Sequence, residues 1–297
     1  MYFSNKTIVF ANGEFIKAKD ASLSLFNQTL HYGNGVFEGI RAYSTPAGTR
    51  IFKAKEHFQR LKDSAKKMHI RLDYPVKDLI EITYEMLKLN KLADAYIRPV
   101  VYSGINMKLL PSEESTLFIG AWKWARYLGN KLQNVTISSF ERPNPNSCHI
   151  EAKVTGHYVN SILATHEAKS KGFDEALQLD LNGNVAEGPG TNFFYEKNGV
   201  LYTAPLGTVL PGITRATVIE IAKHLGMDLK EKLFTPGELL EGDSAFFTGT
   251  AAEVAGIESI DGYQFPLKWE DSMGYILSQK YRQLIKTGDY SHSTTII

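Results

Sequence analysis

A single cysteine, Cys148, among 297 residues removes two architectures at once. No disulfide can close within the chain, and no cysteine cluster can hold zinc. Long hydrophobic runs are also missing: no apolar stretch approaches the about 18 residues that a membrane-spanning helix needs. The opening MYFSNKTIVF lacks the basic flank and apolar centre of a secretory leader. The glycosylation-type triplets at Asn5, Asn27 and Asn134 therefore read as chance matches, and a cytoplasmic location is expected. Neither charge sign is in excess, since 33 Lys and Arg face 32 Asp and Glu for a net +1. No global field draws nucleic acid or an anionic membrane. The histidines never fall in a HExxH spacing, and neither GxSxG nor a P-loop lysine occurs, so no metal is expected. The run from Gly33 to Gly39 approaches a dinucleotide fingerprint, but its third glycine is one residue late and no helix follows directly. Cys148 and His149 are adjacent, and neighbouring side chains on an extended strand point opposite ways.

What remains is the composition of a soluble globular protein, with 43 % hydrophobic and 22 % charged residues. The length suits about two domains. Strands are expected at 7–10 and Glu14–Lys17, joined by Asn12-Gly13, a pair that tolerates the positive φ of a tight turn. Further strands are expected at 36–43 and 50–53. Phe58, Leu61, Ala65 and Met68 recur at helical spacing, as do Leu79, Ile82 and Met86. Strands at 96–102 and 117–122 complete a first domain, 1–125. The glycine-bearing stretch 126–133 reads as a linker. The remainder, 134–297, mixes strands at 135–138, 175–180, 192–196, 200–203 and 244–248 with helices near 156–171, 214–226 and 272–286. That pattern is α/β (α+β), in two domains.

Three segments of the second domain carry small residues where a ligand's charge could be met. Leu210-Pro211-Gly212-Ile213-Thr214-Arg215 leads into an amphipathic helix. Unpaired backbone N–H groups at a helix start form a ready phosphate cup, with Thr214 as cap or donor, although an ordinary capped helix has the same pattern. Thr248-Gly249-Thr250-Ala251-Ala252-Glu253 follows a strand, where small residues let the backbone approach a ligand or simply turn. Val185-Ala186-Glu187-Gly188-Pro189-Gly190-Thr191-Asn192 sets one acid at a strand end, beside a loop that Pro189 stiffens.

In this order the segments resemble the fold-type IV pyridoxal 5′-phosphate (PLP) enzymes, and most closely the branched-chain amino-acid aminotransferases. The resemblance runs over nearly the whole chain. It rests on His31-Tyr32-Gly33, Phe37-Glu38-Gly39-Ile40-Arg41, Glu56-His57-Phe58-Gln59-Arg60-Leu61, Tyr96-Ile97-Arg98-Pro99, Ala152-Lys153 with Tyr158, Glu187-Gly188 with Asn192, LPGITR and GTAAE.

The resemblance implies a two-domain fold like that of D-amino-acid aminotransferase, with the cofactor at the domain interface. It makes Lys153 the lysine that carries PLP and then moves the substrate's Cα proton as general base and acid. Arg60, Ile213, Thr214 and Thr250 would bind the phosphate, Glu187 the pyridine nitrogen, and Tyr158 the phenolic oxygen. Tyr32, Phe37, Gly39, Tyr96 and Tyr127 would wall the substrate pocket. Arg98 would take the side-chain carboxylate of glutamate, and the Thr250 and Ala251 amides the α-carboxylate. His157 stands close to the lysine where the family often has a small residue or asparagine. Thr191 replaces an acid found in some members. The implied partners are branched-chain amino acids, glutamate, their 2-oxo acids and at least one further copy of the chain. Aminodeoxychorismate lyase and D-amino-acid aminotransferase share the lysine, the acid and the phosphate cup.

Overall fold

The computed structural model describes residues 2–125, 127–129 and 131–288. Arg126 and Asn130, which belong to the expected linker, lie outside the described residues. The chain divides into two compact units: Met1–Ala125 with Ala152–Tyr158, and Arg126–Glu151 with Val159–Ile297.

The first unit contains β1 (Ile8–Ala11), β2 (Glu14–Lys17), α1 (Gln28–Tyr32), β3 (Val36–Phe37), β4 (Ile40–Thr45), β5 (Gly48–Ile51), α2 (Ala54–Lys67), α3 (Val76–Leu89), β6 (Ala95–Ser103) and β7 (Ser115–Trp122). Its sheet is 7-stranded in the order β2-β1-β7-β6-β4-β5, with β3 also on β6. The tight turn sits at Asn12 and Gly13, both at positive φ. The core joins the apolar faces of α2 (Phe58, Leu61, Ala65) and α3 (Leu79, Met86, Leu87) to Ile40, Ile97, Val101 and Ile119 of the sheet.

The strand expected at 36–43 is two strands, because it faces Pro99. In a strand the N–H and C=O of one residue point the same way, and the Pro99 carbonyl accepts from the Glu38 amide. Pro99 has no N–H to return, so the ladder lapses at residues 38–39 before β4 resumes with Ile40 opposite Ile97.

The second unit contains β8 (Gln133–Ile137), α4 (Tyr158–Ser170), β9 (Glu175–Leu179), β10 (Val185–Gly188), β11 (Thr191–Lys197), β12 (Val200–Thr203), α5 (Ile213–His224), β13 (Asp228–Glu231), α6 (Pro236–Leu239), β14 (Ser244–Gly249), β15 (Glu253–Ile260), β16 (Tyr263–Gln264) and α7 (Met273–Thr287). Tyr158, the first residue of α4, groups with the first unit. The strand order is β10-β9-β8-β15-β14-β11-β12-β13, and an added β10–β11 pairing closes the first six strands into a barrel. Val135, Leu177, Phe193, Tyr195, Phe247 and Ile257 belong to its core. Thr214 is not the cap of α5: Gly212 holds that place in extended backbone, and Thr214 lies buried in the first turn.

Within the first unit, residues 152–156 are clipped along residues 33–37. Val154 bridges Val36. The Thr155 amide donates to the Gly35 carbonyl and the Gly156 amide to the Gly33 carbonyl, both at 2.8 Å. Gly33 has φ +69, and a Cβ there would meet the Gly156 Cα at 2.9 Å. Gly33→Ala therefore combines a left-handed penalty of about 1–2 kcal/mol with a backbone clash. Gly226 has the same φ, with nothing within 4 Å of a built Cβ. In urea denaturation Gly33→Ala is expected to lose clearly more stability than Gly226→Ala, and equal losses would show that the close approach carries no constraint.

Candidate active site

The clip carries Lys153. Its amide donates to Ser64 Oγ of α2 at 3.0 Å, and its carbonyl accepts from the Phe37 amide of β3 at 3.0 Å. With the backbone held on both sides, Nζ donates to Tyr158 Oη at 2.5 Å. It also lies 4.9 Å from the centroids of the Phe37 and Tyr158 rings, which stand edge to face. The amine is half-buried, against the Phe37 ring and the Tyr158 phenol.

Phe37 leads to a second charge. The Arg98 guanidinium lies 4.7 Å from the Phe37 ring and 5.2 Å from the Tyr96 ring, within cation–π range. Nη2 donates to Tyr96 Oη at 2.8 Å, while Nε is buried with no hydrogen-bond partner among the described residues. Gly39 admits this arrangement, because a Cβ there would meet Tyr96 Oη at 2.2 Å. The ring of Trp124 stands edge-on to Tyr96 at 4.7 Å, and Trp122 packs on the same tyrosine. Lys153, Tyr158, Phe37, Gly39, Tyr96 and Arg98 thus converge. Tyr32 is anchored elsewhere: it is 47 % exposed, and its hydroxyl donates to the Met107 carbonyl.

Between Phe37 and Gly39, Glu38 points to the other face. It is fully buried, and Arg60 of α2 grips it through Nε at 2.6 Å and Nη2 at 2.9 Å. His57, one turn earlier on that helix face, donates from Nδ1 to Glu38 Oε2 at 2.7 Å. Burial pushes the Glu38 carboxyl up, but the Arg60 charge and the hydrogen bonds from Arg60 and His57 outweigh it and hold Glu38 well below the usual carboxylate range. Burial lowers His57 and Glu38 only partly opposes it, so the imidazole is neutral at pH 7. The fork fixes the plane of the Arg60 guanidinium.

In the second unit, the β10–β11 hairpin turns at Pro189-Gly190 and sets Glu187 opposite Asn192. Asn192 Nδ2 donates to Glu187 Oε2 at 2.8 Å and to the Leu210 carbonyl at 2.9 Å. The Leu210 amide reaches both Glu187 oxygens, at 3.1 and 3.2 Å. Arg142 Nε stands 2.9 Å from Glu187 Oε1. Asn192 also touches the start of α5, since a Cβ on Gly212 would meet its Oδ1 at 1.8 Å. Glu187, Asn192 and the Ile213–Thr214 helix start are therefore knit together. Thr250 and Ala251 form the turn between β14 and β15, where the Tyr127 amide donates to the Ala251 carbonyl at 2.9 Å. Burial, and then the charge of Glu175, which accepts from its hydroxyl, raise the Tyr127 phenol. Burial likewise raises Glu175.

Sequence reasoning gave no role to Glu38, His57, Trp124 or Arg142. The first two carry a signal: an acid inside an apolar strand pattern, and a His and an Arg three apart on one helix face. Arg142, among prolines and asparagines, carries none.

Glu38 and His57 both bind protons less readily in the folded chain than in the unfolded one. The stability they contribute is complete above their ordinary values of 4.5 and 6.5 and is lost as pH falls through the lower folded values. The urea midpoint is expected to fall from pH 7 to pH 4. Glu38→Gln, which leaves Arg60 and His57 without their anion, is expected to cost about 3–5 kcal/mol at pH 7. A flat pH profile together with a neutral Glu38→Gln would contradict this electrostatic account.

The profile of the family amino-transferase class IV matches residues 35–260. The branched-chain-amino-acid aminotransferase of Pseudomonas aeruginosa is 41 % identical over 292 residues, covering 96 % of this chain and 95 % of its own. Among solved structures, the branched-chain amino acid aminotransferase of Escherichia coli superposes with a TM-score of 0.92 at 34 % identity, covering 98 % of this chain and 97 % of that one. The branched-chain amino acid aminotransferase from Thermobaculum terrenum, solved in its PLP-bound holo form, gives 0.89 at 29 % identity, covering 96 % of each chain. With this similarity over nearly its full length, and the amine, phenol and carboxylate placed as described, the chain belongs to the class IV aminotransferase family.

Proposed function

We propose that the chain is a branched-chain amino-acid aminotransferase that exchanges amino groups between leucine, isoleucine or valine and 2-oxoglutarate with PLP as cofactor. The observation that carries this reading is the Lys153 amine, fixed at its backbone and hydrogen-bonded to the Tyr158 phenol, in a chain of this family.

The donor set fits PLP. A half-buried amine beside a phenol suits an aldehyde next to a phenolic oxygen. A buried carboxylate suits a ring nitrogen, and a glycine-led helix start suits a phosphate. Thr248 Oγ1 is buried with no partner among the described residues. PLP supplies the carbonyl that takes the amino group and the ring that withdraws electrons from the substrate's Cα. Lys153 would hold it covalently and afterwards carry the proton from the substrate's Cα. Tyr158 would steer that amine. Arg60, held by Glu38, would bind the phosphate with the Ile213 and Thr214 amides and Thr250. Glu187 would keep a proton on the ring nitrogen.

For the substrate, Phe37, Tyr96, Tyr127 and the backbone at Gly39 would form walls, and Tyr32, anchored away from Lys153, would add a further one where a second copy of the chain packs. Arg98, already held against aromatic faces, would meet the side-chain carboxylate of glutamate. The Thr250 and Ala251 amides would take the α-carboxylate. Apolar walls discriminate by only about 1–3 kcal/mol per methylene, so overlapping branched substrates are expected. The protein would act as a homodimer or larger homo-oligomer in the cytoplasm. The exposed Ile105, Met107, Leu109 and Leu110 beside Tyr32 support an interface there. Among the described residues no helix is long and apolar enough to cross a membrane.

The test is transamination of 4-methyl-2-oxopentanoate by L-glutamate, followed as 2-oxoglutarate. Wild type is expected to turn over, and Lys153→Ala to fall by at least about 10²–10⁴-fold. Pyruvate release from aminodeoxychorismate, or turnover of D-amino acids instead, would replace the branched-chain reading.

A further inference from the structure

The Arg142 side chain is 8 % exposed, deep for a guanidinium, and the side chain of the acid it faces is 5 % exposed. Its backbone runs beside β9, with its amide donating to the Leu179 carbonyl at 2.8 Å. The side chain reaches from there to β10, where Nε stands 2.9 Å from Glu187 Oε1. Nε makes no hydrogen bond of good geometry among the described residues, so its relation to Glu187 is chiefly one of charge. Two further donors, Asn192 Nδ2 and the Leu210 amide, are neutral and fix the direction of the carboxylate.

That division of labour has a chemical consequence. A carboxylate shut away from water is driven towards its protonated form, and a neighbouring cation reverses the drive. If Glu187 shares a proton with a pyridine nitrogen, that proton rests on whichever partner holds it more strongly. A guanidinium at 2.9 Å weakens the carboxylate's hold. We propose that Arg142 is a positioning residue for the aminotransferase reaction: by keeping Glu187 ionised, it leaves the shared proton on the cofactor's ring nitrogen. This rests on the reading that Glu187 faces that nitrogen. Arg142 touches neither substrate nor cofactor in this role, and its effect passes wholly through Glu187.

The experiment uses holoenzyme reconstituted with PLP carrying ¹⁵N in the ring, whose chemical shift reports protonation directly. Wild type is expected to show a protonated nitrogen. Arg142→Met and, as a second neutral variant should that one fold poorly, Arg142→Gln are expected to shift it towards the unprotonated position, while Arg142→Lys retains most of the wild-type signal. Turnover in the neutral variants is expected to fall on the order of 10–100-fold, as for other partners that orient a reactive group from behind. With a PLP analogue bearing carbon in place of the ring nitrogen, wild type and Arg142→Met are expected to share the same residual rate. A nitrogen that stays protonated in the neutral variants overturns the proposal. So does an equal loss of activity with the analogue, which would mark a structural role only. Glu187→Gln separates the two layers: an unchanged nitrogen signal there removes the Glu187 assignment, and the proposal with it. A shifted signal there beside an unchanged one in Arg142→Met removes the proposal alone.

Discussion

A carboxylate without access to water persists as an anion only where donors surround it, and much of the site chemistry depends on meeting that demand. Glu38 meets it with the Arg60 fork and the His57 imidazole. Around Glu187 stand Arg142, Asn192 and the Leu210 amide. In each case the acid and the arginine come from different segments, Glu38 from the break between β3 and β4 and Glu187 from β10, so the charge pair ties two stretches of chain together. Removing one partner leaves the other buried and uncompensated. Such a pair therefore fixes geometry more than it adds stability.

Close backbone approach is the second requirement, and glycine answers it at a few places. Gly33 and Gly156 let residues 152–156 lie against residues 33–37 and hold Lys153 from both sides. Gly39 leaves room for the Tyr96 hydroxyl that receives Arg98, and Gly212 for Asn192. The aromatic rings then work as rigid surfaces. Phe37 lies against both the Lys153 amine and the Arg98 guanidinium, so one ring orders two groups on which the proposed reaction would depend.

The sequence was legible where periodicity and burial agree. α2, α3 and α7 show their apolar stripes, and β2 and β12 begin and end where expected. Legibility failed where tertiary context decides. β15 (Glu253–Ile260) is buried at all but one position, so it lacks the alternation that marks a half-exposed strand. It also opens with Glu253 at φ +58, straight out of a turn. β10 is a four-residue strand ending in glycine, and α1 has only five residues. The split between β3 and β4 depends on Pro99, some sixty residues away. In the site, Lys153 has no local signature that separates it from a surface lysine, and resemblance alone singled it out. Tyr127 was read as a pocket wall, yet the pairing of its hydroxyl with Glu175 could not be read from residues 48 apart.

The central claim is that Lys153 carries the cofactor, and covalent trapping tests it most directly. The PLP-loaded protein is reduced with borohydride, digested, and mapped by mass spectrometry for the lysine that bears the pyridoxyl group. The expected result is one modified peptide, with the label on Lys153 and none elsewhere. A label on another lysine, or no label in protein that has bound one PLP per chain, would contradict the account.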